Sequence, residues 1–445
     1  MDSGDTKAAY WTQLVEAYRE KHPNIDLSYD PLTPNSMTEV VPLGVRNGTL
    51  HDLFQLPGGL MDEAVEEGWV MPLDDVIPNF EDWKRQYPEG ILFEGVHIFD
   101  GKTYSFPGTA PNRYNECLLY SRQLMNDAGY DPEESPLTWD EYRDAAKSIT
   151  EAGNGQVYGV TLEGGQPPKL VLWLEAFAQM GGGYGLNPAT GEYDYASDAW
   201  TDALDLLLAL QADGSLFPGS ASMEAQQTTS RVVGGSVGMV TAGPWMIPQW
   251  EDENPDFDFG VGAHPHPGPG SLPRGYNPAI NQDAMWVASS TENPEIAGDI
   301  LAYHGSLEGA TAWMSIVGPG NPTPFEEAHA DAADALSPAG RRALELSETL
   351  VSLPSALIRN PEVAIANQEM PALTPGLGET IAGIIDGSIT DVRSAMQDLE
   401  DRSDEQLDQA IAAARDKGAN VSREDWVFSN FVPGEPYTPD MYDEL

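Results

Sequence analysis

Several of the 11 tryptophans and 17 tyrosines stand beside chain-reversing residues rather than on periodic helical faces. Trp245 follows Gly243-Pro244 directly, and Trp173 leads into the Gly181-Gly182-Gly183 triplet. Tyr114 and Asn115 end a stretch that begins at Pro107, and Tyr276 and Asn277 end one dense in Pro and Gly that begins at His264. Aromatic and amide side chains in such places suit one kind of ligand. A neutral sugar presents apolar C–H faces and hydroxyl edges; indole or phenol covers the face, and Asn, Gln, Asp or Glu satisfies the edge. The expectation is a cleft in which these groups converge. Trp11, Trp139 and Trp200 fall on periodic faces and are assigned to the core.

Other chemistries find little support. Glycoside hydrolysis needs two selected carboxylates. With 71 Asp and Glu, pairs such as Glu133-Glu134 and Asp252-Glu253 arise by chance, and no spacing singles out two. Glu116 reads either as a hydroxyl acceptor or as a solvated hinge charge and is not assigned to the site. Gly219-Ser220 and Gly235-Ser236 lack the second glycine of a nucleophile elbow. The glycine triplet is followed by Tyr184-Gly185 rather than Lys-Ser/Thr, so it reads as a helix end and not a phosphate loop. His264 and His266 have no third ligand and read as an exposed loop pair; Asp401, Asp404 and Glu405 lack the pattern of a calcium loop. No catalytic residue, metal or cofactor is therefore expected.

The chain has 445 residues, 22 Lys and Arg and 71 Asp and Glu, a formal charge of −49. Such a surface repels phosphate backbones and anionic lipid, which argues against nucleic-acid and membrane-surface partners. Hydrophobic residues at 41% are ample for a folded core. Cys117 is the only cysteine, which excludes an intrachain disulfide and a cysteine zinc site. No run approaches the ~18 apolar residues of a membrane span; the nearest, Leu170 to Met180, is broken by Glu175. The N-terminal MDSGDTKAAYW has no basic or apolar leader region.

The elements that must position the aromatic groups alternate along the chain. Thr6 to His22 reads as a helix with Asp5 as N-cap, then Ile25, Leu27 and Tyr29 alternate as a strand, and Asp52 to Leu56 forms another. Thr138 and Glu141 make a capping box, Gln156 to Leu162 a strand, and Ser197 a cap. Val237 to Thr241 and Ala284 to Ser289 are strands; Asn293-Pro294 and Ser337-Pro338 open helices, and a long acidic helix spans Thr390 to about Lys417. This alternation predicts a parallel α/β sheet. Three linker-like segments, 107–115, 264–277 and 318–324, indicate two discontinuous lobes that close like a hinge.

The residues that carry these readings also carry a resemblance. WTQLVEAYREKHPNIDLSYD (11–30), HDLFQL (51–56, with His51 where Pro is usual), GKTYSFPGTAPNRYNECLLYSRQLMNDAGY (101–130) and LTWDEYRDAAKSIT (137–150) succeed one another. GGSVGMVTAGPW (234–245), AMWVASSTENPEIAGDILAYHGS (284–306) and IIDGSITDVRSAM (384–396) follow in order. In this co-linear order the chain resembles the extracellular solute-binding proteins of sugar ABC importers, the maltose-binding-protein family. The resemblance implies a periplasmic-binding-protein fold of two α/β lobes joined by three crossings. Residues 1–112 with 278–322 would form one lobe, and 113–277 with 323–445 the other. It implies that Trp245 is the stacking platform, that Tyr114 and Asn115 reach the ligand from the crossing, and that Gln55, Gly58 and Asp5 meet hydroxyls; Trp173 and Asn277 are further assignments.

It further implies a non-enzymatic, monomeric extracellular receptor that hands a mono- or oligosaccharide to ABC transporter permease subunits. Members begin with a strand and a lipid-modified cysteine ahead of the first helix, so native residues are expected to precede Met1 and to anchor the protein. The aromatic tail from Arg423 to Leu445 is expected to pack along a lobe. Two rivals are a secreted carbohydrate hydrolase, for which no carboxylate pair is identified, and a binder of polyamines or other cations, which the acid excess would attract.

Overall fold

Short buried strands flanked by helices realise most of these periodicities. The computed structural model describes residues 1–2, 7–32, 34–56, 60–165, 167–318 and 320–445. The chain divides into two compact units. The first comprises Met1–Arg113, Asn277–Ser337 and Ser355–Gln368; the second comprises Tyr114–Tyr276, Pro338–Pro354 and Glu369–Leu445. The first two crossings each fall one residue from the expected position. The third lies at Ser337/Pro338 instead of 322/323, and residues 355–368 return to the first unit, which adds two more. Packing is the reason. The Glu326–Ala332 helix buries Ala328 and Ala332, Phe325 meets Tyr87 edge to face at 5.3 Å, and Trp313 Nε1 donates to the Asn321 carbonyl at 2.7 Å.

In the first unit, Leu53–Gln55 pairs antiparallel with Met285–Val287, placing Phe54 opposite Trp286. Phe54, Leu56, Val41, Trp286 and Ala288 form its core. The Ala8–Lys21 helix buries Tyr10 and Trp11, and the Tyr10 hydroxyl bonds His304 Nδ1 at 3.1 Å. The expected cap Asp5 lies outside the described residues. Residues 25–29 do not form the expected strand. Ile25, Leu27 and Tyr29 are half-buried while Asp26, Ser28 and Asp30 are exposed, so the alternation survives without a ladder. These apolar residues face a groove of about 590 Å³, lined also by Trp11, Leu14 and Ile300, rather than a partner strand.

The second unit is built on a four-stranded sheet in the order Tyr158–Thr161, Val237–Ala242, Cys117–Ser121, Phe259–Gly262. It is mixed, not wholly parallel. The Tyr158 and Val237 strands run parallel, and the Cys117 strand is antiparallel to both its neighbours. That strand brings the chain in from the first crossing, so it starts at the edge where the other three end. The Trp139–Ala152 helix, with the expected Thr138–Glu141 capping box, buries Tyr142, Ala145, Ala146 and Ile149. It lies so close to the sheet that a Cβ on Gly159 would clash with the Ala146 backbone. Ser197 precedes the Asp198–Ala212 helix, yet its hydroxyl makes no cap bond. The glycine triplet ends the Pro167–Met180 helix, with Gly183 N–H returning to the Ala178 carbonyl. The tail is folded: Phe428, Phe431 and Tyr437 are buried against Tyr184 and Leu353. Among the described residues no helix is long and apolar enough to cross a membrane.

Candidate functional site

The reversed Cys117 strand gathers chemistry at one edge of the second unit's sheet. Cys117 pairs with Ala242, Leu118 with Gly262, and Thr161 with Val240. Tyr114 to Glu116 therefore enter where Glu163, Trp245 and His264 emerge from the carboxyl ends of the other strands. Carboxyl ends of strands in α/β sheets are the usual place for a ligand.

Tyr114 is buried there. Its hydroxyl accepts from the His264 N–H at 3.1 Å, its own N–H donates to Ser347 Oγ at 3.2 Å, and the Arg274 guanidinium lies 5.4 Å from its ring centre. Arg274 Nη1 donates to the Glu116 carbonyl at 3.2 Å. Glu116 itself is 4% exposed. Burial pushes its carboxyl up to about 8, against the pull of Lys169 and with a further push from Glu163. Glu163 Oε2 lies 3.5 Å from Lys169 Nζ, and burial raises this carboxyl too, partly offset by Lys169. Lys169 Nζ sits 4.9 Å from the Trp245 ring centre, within cation–π range. Glu175 is likewise raised by burial, with Arg274 opposing. Trp245, half-buried, lies in the Pro244–Met246 turn, and its indole folds back over Gly243, where a Cβ would clash with the ring. That contact gives the Gly-Pro-Trp sequence its physical meaning.

Among the described residues of this unit eleven buried polar side-chain atoms have no hydrogen-bond partner, and five of them lie at or just behind this edge: Glu163 Oε1, Trp173 Nε1, Thr241 Oγ1, His264 Nε2 and Arg274 Nε. Buried polar atoms are nearly always paired. Thr241 precedes Trp245 on the same strand end, and Glu163, His264 and Arg274 belong to the cluster just described. The set offers donors and acceptors to a hydroxylated ligand.

The structure brings Tyr114 and Trp245 to this edge, with half-buried Asn115 between Tyr114 and Glu116. Trp173 is 4% exposed and packs on Phe177 at 4.2 Å, a ring that in turn meets His264 at 4.1 Å. It is a core ring behind the edge. Asn277 belongs to the first unit, where its Oδ1 accepts from the Ala279 N–H at 3.0 Å in a local turn. Asp5 and Gly58 lie outside the described residues.

Gln55, also in the first unit, is engaged by Asp283, to which its Nε2 donates at 3.2 Å. Asp283 also accepts from Lys7 Nζ at 2.6 Å and Thr109 Oγ1 at 3.2 Å, and lies 3.6 Å from Arg113. Burial opposes its ionisation, but Lys7 and Arg113 outweigh that and hold it down to about 2.

Two sequence readings need correction. His264 is fully buried rather than exposed on a loop, because its N–H is tied to the Tyr114 hydroxyl and its ring to Phe177. Glu116 is buried rather than solvated. Sequence reasoning also missed Glu163, Lys169, Glu175 and Arg274. Glu175 did leave a trace, as the single charge interrupting an apolar run. Among the described residues no group of three or more His, Cys, Asp or Glu is placed to hold a metal ion.

Two α/β units linked by several crossings, with a polar and aromatic site at one sheet edge, define a binding-protein architecture. The family described as bacterial extracellular solute-binding protein matches residues 3–310, and the chain belongs to it. The chain is 25% identical over 247 residues to a binding protein of Brucella abortus (strain 2308), a match covering 56% of this chain and 57% of that protein. It thus spans little more than half the length of the curated relatives it matches. Among solved structures, the GacH receptor of Streptomyces glaucescens GLA.O, determined unliganded and with acarbose, is 18% identical with a TM-score of 0.70, covering 91% of this chain and 96% of that one. A solute-binding protein of Thermotoga lettingae TMO bound with α-D-tagatose is 20% identical with a TM-score of 0.67, covering 91% and 98%. These likenesses show the fold: a periplasmic-binding-protein architecture.

Proposed function

We propose that this protein is a non-enzymatic receptor that captures a mono- or oligosaccharide and delivers it to the permease of an ABC importer. The observation that carries the reading is the sheet edge where the Trp245 indole stands among buried donors and acceptors that lack partners. An apolar plane beside unpaired polar atoms suits a ring with C–H faces and hydroxyl edges. Tyr114, Asn115, Glu116, Glu163 and Arg274 would serve the hydroxyls. The acarbose and tagatose bound by the proteins above support the same class of ligand. Hinge closure belongs to this reading and rests on chain connectivity alone. Attachment to the cell surface through a lipid anchor is part of the same proposal.

The test is tryptophan fluorescence titrated with neutral mono- and oligosaccharides and with polyamines at two salt concentrations. The reading predicts a saturable, salt-insensitive response to at least one sugar, with that sugar recovered chemically unchanged. A salt-sensitive response to polyamines alone, or hydrolysis of the sugar, would overturn it.

A further inference from the structure

Tyr114 and Trp245, the two aromatic rings brought to this sheet edge, each carry a cation of the protein's own. Lys169 Nζ lies 4.9 Å from the Trp245 ring centre, and the Arg274 guanidinium 5.4 Å from that of Tyr114. With 22 Lys and Arg against 71 Asp and Glu, cations are scarce in this chain, and two at one edge need a cause. Helix stability does not supply it for Lys169. The residue stands in the first turn of the Pro167–Met180 helix, where a positive charge opposes the helix dipole. Its neighbours explain the placement. The parallel strands Tyr158–Thr161 and Val237–Ala242 deliver Glu163 and Trp245 from adjacent carboxyl ends. Lys169 reaches both: its Nζ is also 3.5 Å from Glu163 Oε2, with side-chain exposures of 24% for the lysine and 9% for the glutamate. A carboxylate beside an aromatic face is the pairing that holds an ammonium. Here it is filled from within the chain.

From this geometry we infer that Lys169 is a specificity-determining residue: its ammonium takes the seat that an amine would occupy on Glu163 and Trp245, and so closes the site to cationic ligands. The inference rests on the carbohydrate reading and adds the means by which that site rejects amines. The need follows from the charge of the molecule. At −49 its surface concentrates cations, polyamines included. Selecting a neutral ring in that field takes a repulsive element as well as an attractive one. Lys169 repels a ligand ammonium, whereas a sugar hydroxyl can accept from its N–H groups.

Chemical rescue tests this without knowledge of the sugar. Lys169→Ala removes the internal ammonium; n-butylammonium and putrescine are titrated into it and into the native protein at constant ionic strength, followed by tryptophan emission. The amines should bind Lys169→Ala saturably and about tenfold or more tighter than the native protein, because juxtaposed like charges are strongly unfavourable. The response should vanish in the Lys169→Ala, Trp245→Phe double variant, and Lys169→Arg should reject the amines as the native protein does. Thermal melts check folding; if Lys169→Ala is unfolded, Lys169→Met, which keeps the apolar stem, is titrated in its place. No gain of amine affinity in the folded variant, or a gain that persists without Trp245, would overturn the inference. A gain in the variant beside a native protein that binds no sugar would overturn the receptor reading and leave the exclusion of amines standing. Saturable, Trp245-dependent binding of putrescine to the native protein as tight as to the variant would overturn both.

Discussion

Asp283 shows what a completed buried charge looks like in this molecule. It has Lys7, Gln55, Thr109 and Arg113 around it. Asp283→Ala would leave Lys7 and Arg113 buried without their carboxylate, a loss expected to cost about 3–5 kcal/mol in denaturant unfolding; a change under about 1 kcal/mol would show that the network is ornamental. Glu116 is the opposite case. Burial raises its carboxyl to about 8, with Lys169 opposing, from about 4.5 in the unfolded chain. Between those values the folded state holds a proton that the unfolded state has lost. Its contribution is therefore fully present below about pH 4.5 and declines as pH rises towards 8, by an amount on the order of a few kcal/mol. In the ligand-free protein, Glu116→Gln should flatten the fall in stability across that window, measured as thermal midpoints at stepped pH; an unchanged slope would refute the assignment. The place of Trp245 at the sheet edge was legible in the sequence because Gly243-Pro244 stops the strand directly before it, and the ring's close seat over Gly243 gives that order a steric cause. Glu116 and Glu163 were not, because 71 acidic residues hide the few that are buried.

At the scale of elements, the close seat of the Trp139–Ala152 helix on the sheet depends on Gly159. Gly159→Ala would push a methyl into the Ala146 backbone, with an expected loss of about 1–3 kcal/mol in chemical unfolding; a neutral result would mean that the helix has room to move. Two of the second unit's four strands were readable, Tyr158–Thr161 and Val237–Ala242, the latter because both faces are buried and make it a continuous small and apolar run. These two do run parallel, but Cys117–Ser121 and Phe259–Gly262 were not read as strands, since helix–strand alternation says nothing of a reversed strand that enters from another unit. Residues 25–29 show the same gap between pattern and pairing. Alternation told which residues turn inward, but a ladder needs a neighbour that local sequence does not supply. The crossing at Ser337 was missed because the Glu326–Ala332 helix packs back on the Leu307–Ile316 helix of the first unit, a tertiary contact that the Gly- and Pro-rich segment between them hides.

For the whole molecule, the dominant quantity is the charge of −49. Like charges at this density oppose a compact chain, and salt screens them over a Debye length of about 10 Å at 0.1 M and 3 Å at 1 M. The thermal midpoint should therefore rise between 0.1 and 1 M NaCl; a midpoint that falls would mean that the ion pairs outweigh the repulsion. Binding of a neutral sugar on an aromatic plane would not share that dependence. The most direct test of the receptor reading is calorimetric titration of the sugar selected in the fluorescence panel into the native protein and into Trp245→Ala, with thermal melts of both. The account predicts a one-site isotherm for the native protein, affinity weakened about ten- to a hundredfold or more in Trp245→Ala, and a midpoint within a few degrees of native. Equal affinity in the two proteins would contradict it, because the indole at the sheet edge would then not be where the ligand sits.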